Sequence, residues 1–401
     1  MKKSLMPLLL GGLGIGTTEF VMMGLLQDIA SDLHITIPEA GHLISAYALG
    51  VVVGAPLLVM MSVKHPPKKI LLFLMLIFTV FNALSAFSPG PVTLLMARFF
   101  AGLPHGAFFG VGSVVASRLA DKGKQAQAIA VMFSGLTIAN LVMVPIGTWI
   151  GHHLLWRYTF GLVAVIGLMT LLAIKLWLPA LPANENADAK KEMEVLKNPQ
   201  AWLVIAITAV GTGGMFAWIS YISPLMTDVS HFSADSVSWI MVLAGLGMIV
   251  GNLIGGRLAD RFQPVYTCAG LLLCMALTLL SIHYFSGIQF VSLFLTFLTG
   301  ALSMMIAAPI QILMINTSGD AEMLGAALIQ AAFNVGNSLG AFLGGLPIVM
   351  GYGFTYPVVV GACMAVVGVG FAIRLIKMQQ PPLNIIPAPT TTYSSPPTPA
   401  D

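Results

Sequence analysis

Apolar residues in this chain fall into blocks of about 20 separated by short polar breaks, and a helix needs about 20 mainly apolar residues to cross a bilayer. Twelve such blocks can be counted: 4–26, 40–62, 70–87, 92–115, 126–150, 158–178, 200–225, 237–257, 265–285, 288–314, 324–348 and 355–376. Each is expected to be helical, because lipid offers no hydrogen-bond partner to an unpaired backbone group. The first block, led by Lys2 and Lys3, has the outline of a secretory signal. Its length, the lack of a small-x-small cleavage site and the presence of Glu19 make it a span instead.

Composition narrows the class further. Of 401 residues, 57% are hydrophobic and only 8% charged, whereas charged residues make up about a quarter of a soluble domain. A soluble fold of this length could not cover its surface, which disfavours a water-soluble enzyme, a nucleic-acid binder and a disordered chain. Cys268, Cys274 and Cys363 all lie inside apolar blocks and read as small packing residues, with neither a disulfide framework nor metal-ligand spacing. No metal and no other cofactor is expected.

The distribution of charge orients the chain, since cytoplasmic loops carry the excess of Lys and Arg. With the N-terminus inside, all but two of the 18 basic residues fall on the cytoplasmic side, the exceptions being Arg98 and Arg157. The outer loops carry acids such as Asp28, Asp32, Glu39, Asp228 and Asp235. Both termini are therefore expected on the cytoplasmic side of the membrane.

One polar linker, 179–199, divides the chain, and adding 197 to first-half positions repeatedly reaches the same residue type in the second. Gly14 pairs with Gly211, Gly16 with Gly213, Gly50 with Gly247, Gly54 with Gly251, Asn140 with Asn337 and Gly147 with Gly344. A constant offset without insertion predicts an all-α membrane protein of two pseudo-symmetric six-helix bundles, 1–178 and 200–376, related by an axis along the membrane normal. Residues 377–401, with Pro, Thr and Ser, are expected to form a flexible tail.

Candidate chemistry rests on charge inside the spans. Away from the last turns, only Glu19 and Arg98 are fully ionisable there, and a central Asp, Lys or Arg costs about 2.5 to 3.5 kcal/mol, so such groups mark pairs, relays or substrate paths. Counting 1.5 Å per residue from the span centres puts both about 6 to 8 Å toward the outside, close enough to meet. His105 follows Arg98 by seven residues and shares its helix face, with Gly102 and Gly106 leaving that surface open. Burial favours the neutral carboxyl and a guanidinium the charged one, so a small rearrangement can load or release a proton at Glu19. On helix eleven, Gln330, Asn334 and Asn337 make one polar stripe; Trp218 and Tyr221 share a face of helix seven, and Gln311 lies in helix ten. Amides and rings suit hydroxylated ligands, whereas the Met-rich walls suit lipophilic ones. The equivalent amides Asn140 and Asn337 either join that site or tie helices together.

Several motifs, in order and on the matching helices, resemble the twelve-helix major facilitator superfamily, most closely the bacterial arabinose-type efflux permeases of its drug and sugar proton-antiporter group. The loop after helix eight, Gly256-Arg257-Leu258-Ala259-Asp260-Arg261-Phe262, is similar to the family's loop motif. Leu94 to Gly102 resembles the motif with the buried arginine, with Ala101 where Gln is frequent. Gly135 through Asn140, Pro145 and Gly147 to Gly151 resembles the antiporter stretch, with Val144 replacing a Gly, and Trp156-Arg157-Tyr158-Thr159-Phe160 is typical at the start of helix six. The resemblance covers residues 1–378.

It implies a transporter of the major facilitator fold with helices one and four lining a central cavity, so that an ion pair between Glu19 and Arg98 is geometrically reasonable. It also implies that the loop acids lock the cytoplasmic side shut at helix N-termini. In the first-half loop, Ser62 to Lys69, the acid's position is held by Val63, leaving Asp260 as the expected sole latch. The expected activity is export of a small molecule, a sugar or a lipophilic compound, by proton antiport with alternating access. The molecule is expected to act as a monomer in the lipid bilayer, with no nucleic-acid partner. A sugar uptake carrier of the same fold is the alternative. An intramembrane enzyme is disfavoured by the isolation of its polar groups, and direct ATP driving by the lack of a phosphate-binding loop.

Overall fold

The computed structural model describes residues 3–35, 37–62, 64–183, 189–233 and 236–379. Among them, twelve helices are long and apolar enough to cross a membrane: α1 (Lys3–Leu26), α2 (Glu39–Met61), α3 (Pro67–Ala86), α4 (Pro91–Leu119), α5 (Gln125–His153), α6 (Trp156–Trp177), α7 (Pro199–Ile219), α8 (Trp239–Arg261), α9 (Pro264–Phe285), α10 (Gln289–Ser318), α11 (Glu322–Val349) and α12 (Tyr356–Gln379). No strand occurs among the described residues. The tail expected over 377–401 lies outside them beyond residue 379, as do Val63 and Asp235.

The same neighbours recur in both halves. Helix α2 packs on α4, α3 on α4 and α6, and α1 on α5 and α6; six helices later, α8 packs on α10, α9 on α10 and α12, and α7 on α11 and α12. The offset glycines sit at equivalent contacts. A side chain at Gly50 would run into the Phe99 carbonyl of α4, and one at Gly247 into the Phe297 carbonyl of α10. A methyl on Gly16 would come within 2.9 Å of Ala139, whose position plus 197 is Gly336, the residue faced by Gly213. In lipid, where helices gain nothing by hiding from each other, close backbone approach through such small residues drives packing.

Two spans contain a π-helical turn. In α5 a π-helical turn at Ala139–Met143 precedes Pro145. Proline has no N–H to continue the i−4 ladder, and a widened turn is one way a helix absorbs that loss. In α7 the π turn Ile207–Gly211 includes the glycine that packs on Gly368.

The halves meet through α5 on α8, α2 on α11, α4 on α11 and α5 on α10. These pairs also exchange under the six-helix shift, as a two-fold relation requires. The helical turn beyond α1 is fixed by Asp32, which accepts hydrogen bonds from Arg157 and from Trp156 Nε1. The two basic residues that depart from the charge pattern are thus accounted for separately: Arg157 anchors this acidic face, and Arg98 is buried.

Candidate functional site

A cavity lies between the halves. Its walls are Glu19 and Phe20 of α1, His105 of α4, Phe133 and Leu136 of α5, Met215 and Phe216 of α7, Ser303, Met304 and Ala307 of α10, and Gln330, Phe333, Asn334 and Asn337 of α11. The contributing helices are thus three from one half and their counterparts from the other.

Glu19 is half-buried and its side chain lines this space. Arg98 is fully buried one layer behind it. The direct ion pair between them does not form. Arg98 Nη1 instead donates to Thr18 Oγ1 at 2.7 Å, Thr18 donates to Asn82 Oδ1 at 2.6 Å, and the guanidinium lies 4.4 Å from the centre of the Tyr47 ring. The physical reason is direction: Thr18 and Glu19 are neighbours about 100° apart on the helix, so only one of them can face α4 while the other faces the cavity. Glu19 still lies within the electrostatic reach of Arg98. The Tyr47 hydroxyl in turn bonds His105 Nδ1 at 3.1 Å, and His105 packs on Phe109 with ring centres 5.3 Å apart. A buried polar chain therefore runs from Asn82 and Thr18 through Arg98 and Tyr47 to His105 at the cavity wall.

Of the residues expected to bind cargo, Glu19, Gln330, Asn334 and Asn337 reach the cavity and four do not. Gln311 is buried, donating to the Ala326 carbonyl at 3.0 Å while accepting from Gln330, so it ties α10 to α11. Asn140 bonds back to the Leu136 carbonyl of its own helix. Trp218 has no exposed surface, and Tyr221 donates to the Ala341 carbonyl of α11 at 2.8 Å. Helix α7 ends at Ile219, so Tyr221 lies in the turn beyond it and shares no helix face with Trp218; neither ring is among the cavity walls.

Conversely, Tyr47 and the phenylalanines Phe20, Phe133, Phe216 and Phe333 are site residues that the sequence reading missed. Tyr47 carried a usable signal, a polar tip in the middle of an apolar block. The phenylalanines carried none, because an aromatic ring is as much at home against lipid as against a cavity.

The motif residues form the seam on the side rich in Lys and Arg. Asp260 accepts from the backbone N–H groups of Ala126 at 2.8 Å and Gln127 at 3.0 Å. Its carboxylate thus satisfies the first turn of α5, whose own Lys124 offers no side-chain cap. Gly256 presses its bare backbone against Ala130 and Gln127, and Asn252 donates to the Ala130 carbonyl and Ser134 Oγ, at 2.8 and 2.9 Å. Arg261 stays on its own side over Phe262. Gly110 of α4 abuts Ala327 of α11, so the cavity is closed in this direction. Gly135 lets α5 touch the backbone of α1, and Gly147 fits between Val21 and Thr159, accepting from the Thr159 hydroxyl at 2.7 Å. Pro145, between them, stands at the π turn.

The family model described as Major Facilitator Superfamily matches residues 8–234 and 219–398. "Putative transporter AraJ" of Escherichia coli (strain K12) is 40% identical over 356 residues, 89% of this chain and 90% of that protein. "Chloramphenicol resistance protein" of Streptomyces lividans is 32% identical over 331 residues, covering 81% of this chain and 84% of that protein. A crystal structure of the transporter FucP "in the outward conformation" superposes with a TM-score of 0.73 at 16% identity, covering 92% of this chain and 98% of that one. The duplicated packing, the central cavity and these likenesses agree: the chain belongs to the Major Facilitator Superfamily and is a multi-pass membrane transporter, not an enzyme.

Proposed function

We propose that this transporter exports a small, largely lipophilic molecule across the bacterial inner membrane in exchange for protons, with both termini in the cytoplasm and one molecule as the working unit. The observation that carries the reading is that Glu19, the one carboxylate among the cavity walls, faces the binding space with a buried guanidinium one layer behind. A single carboxylate suffices for exchange. Glu19 takes a proton from the outside, cargo arriving from the cytoplasm displaces it, and the halves rock between inward-open and outward-open forms around the cavity. Closure of the seam on the basic side fits the phase in which Glu19 exchanges with the outside.

The walls suit a lipophilic cargo, with four phenylalanines and two methionines around few polar groups, and a relative bearing the name of chloramphenicol resistance points the same way. A second reading, a sugar, is favoured by the amide stripe Gln330, Asn334 and Asn337 on α11, since amides bond hydroxyls from two directions.

In inverted vesicles with an imposed proton gradient, Glu19→Gln is expected to abolish gradient-driven accumulation while leaving energy-independent exchange. Accumulation at the wild-type level in that variant would refute the relay. Uptake of cargo into right-side-out vesicles, where export predicts loss, would refute the direction.

A further inference from the structure

Asp260 and Val63 are 197 positions apart, the offset that relates the two halves. Asp260 caps the start of α5 at Gln127, and the same offset carries Gln127 to Leu324, in the first turn of α11. That turn has the same need as its counterpart, because its N-cap, Ala321, has no side chain able to accept a hydrogen bond. A valine could not supply one.

The need is met from elsewhere. The Leu324 backbone N–H donates to Glu192 Oε2 at 2.9 Å. Glu192 closes the short linker helix Ala189–Glu192, is 4% exposed, and belongs to neither loop. The linker helix touches α2 as well as α11, so the carboxylate docks the linker on α11 at the seam between the halves, as Asp260 docks α8 on α5 on the other side of the pseudo-two-fold axis. Asp260 is therefore not the sole latch: the asymmetry lies in where the second acid comes from.

We propose that Glu192 has taken over the latch position that Val63 cannot fill, so that the linker joining the halves, and not the first-half loop, holds the cytoplasmic seam shut at α11. The proposal goes beyond the export reading: it says which segment closes the seam, whatever the cargo or its direction.

The surroundings of Glu192 make this latch responsive to cytoplasmic pH. Facing it from α11 is Glu322, itself 3.7 Å from Arg118 of α4; its own linker carries Lys190, Lys191, Glu194 and Lys197, and the titratable groups of α2 are Glu39, His42 and Tyr47, all in the half of that helix away from the Lys- and Arg-rich side. Burial pushes the Glu192 carboxyl up to about 7; the Leu324 hydrogen bond pulls against that rise and Glu322 adds to it. A docked carboxyl of raised pKa holds its proton more tightly than the hydrated one at 4.5, so docking strengthens as pH falls through about 7 and weakens as pH rises. Between about pH 8 and pH 6 the closed-to-open ratio should rise about tenfold on this account.

The test is a distance across the seam. Spin labels at Lys122→Cys and Asp320→Cys, in a chain with Cys268, Cys274 and Cys363 replaced by serine, report its width by pulsed electron resonance without cargo or gradient. Removing the cap with Glu192→Ala should enlarge the open population about fivefold, a typical worth of a buried cap or helix-end charge, and adding Val63→Asp to that variant should restore closure. Glu192→Gln, which keeps an acceptor but no titrating proton, should stay closed and lose the pH response carried by this residue. An unchanged distance distribution in Glu192→Ala overturns the latch, failure of Val63→Asp to restore closure overturns the substitution of one acid for the other, and an undiminished pH response in Glu192→Gln overturns the pH sensing. None of these outcomes depends on Glu19.

Discussion

Arg98 shows how a full charge is kept inside a membrane protein without a carboxylate in contact. Its burial is offset by a short hydrogen bond to Thr18 and by the face of Tyr47, a cation–π contact whose value grows as water is excluded. Tyr47 does two things at once, so its substitutions separate them. Tyr47→Phe keeps the ring under Arg98 but leaves His105 Nδ1 without its partner, which should cost about 1 to 3 kcal/mol in thermal unfolding measured in detergent. Tyr47→Leu should cost more, and an equal loss in the two variants would argue that the ring contributes nothing.

On the acidic face, hydrogen bonds from Arg157 and then Trp156 hold the Asp32 carboxyl below its ordinary range. A lowered carboxyl stabilises the fold above its unfolded value and loses that contribution as pH falls through its folded one. Because Asp32 is exposed, Asp32→Asn should change the unfolding midpoint only slightly at neutral pH, in keeping with surface pairs worth about 0 to 1 kcal/mol.

At this scale the site was half legible. Glu19, His105, Gln330, Asn334 and Asn337 stand out because each is an ionisable or amide group set in an apolar block. Trp218 and Gln311 stood out equally and proved to be packing residues. Polarity marks a helix face as needing a partner, but the rotation of the helix, fixed by packing against its neighbours, decides whether that partner is cargo or protein.

Helices carry the second layer of the argument. Twelve spans were countable from block length alone, since the bilayer sets a fixed length and imposes helix on every crossing. Their contacts were legible only where glycine recurs. Gly50 and Gly54 face the backbone of α4, so Gly54→Val should block the approach of α2 and lower the folded yield sharply in size-exclusion chromatography, whereas Gly270→Val, at a glycine with open space around it, should be tolerated. The π turn ahead of Pro145 was not foreseen, because a proline announces a lost hydrogen bond without saying which local geometry absorbs it. Asp260 caps α5 through two N–H groups, and Asp260→Asn retains one acceptor while losing the charge. Transport should slow in that variant with substrate affinity nearly unchanged, since the latch acts on the seam and not on the cavity; unchanged turnover would count against it.

For the whole molecule, the two-fold relation organises nearly everything: neighbouring pairs of helices, cavity walls and seam contacts all exchange under a shift of six helices or 197 residues. Departures from it mark functional asymmetry. The carboxylate in the cavity and the guanidinium behind it occur in the first half alone, and the acid of the loop motif in the second alone. A carrier that rocks two similar halves around one cavity needs only one of them to carry the proton. The linker, read from sequence merely as a polar divider, proves to be structural because Glu192 finds a helix end that the loop leaves uncapped, a contact that no local pattern could announce.

The central claim is that the Glu19 carboxyl exchanges its proton through the cavity. Infrared difference spectra recorded during a pH titration of purified protein in lipid, wild type against Glu19→Gln, address it without knowledge of the cargo. The account predicts a carboxylic-acid carbonyl band that bleaches reversibly as pH is raised and is missing from the variant; identical spectra from the two proteins would contradict it.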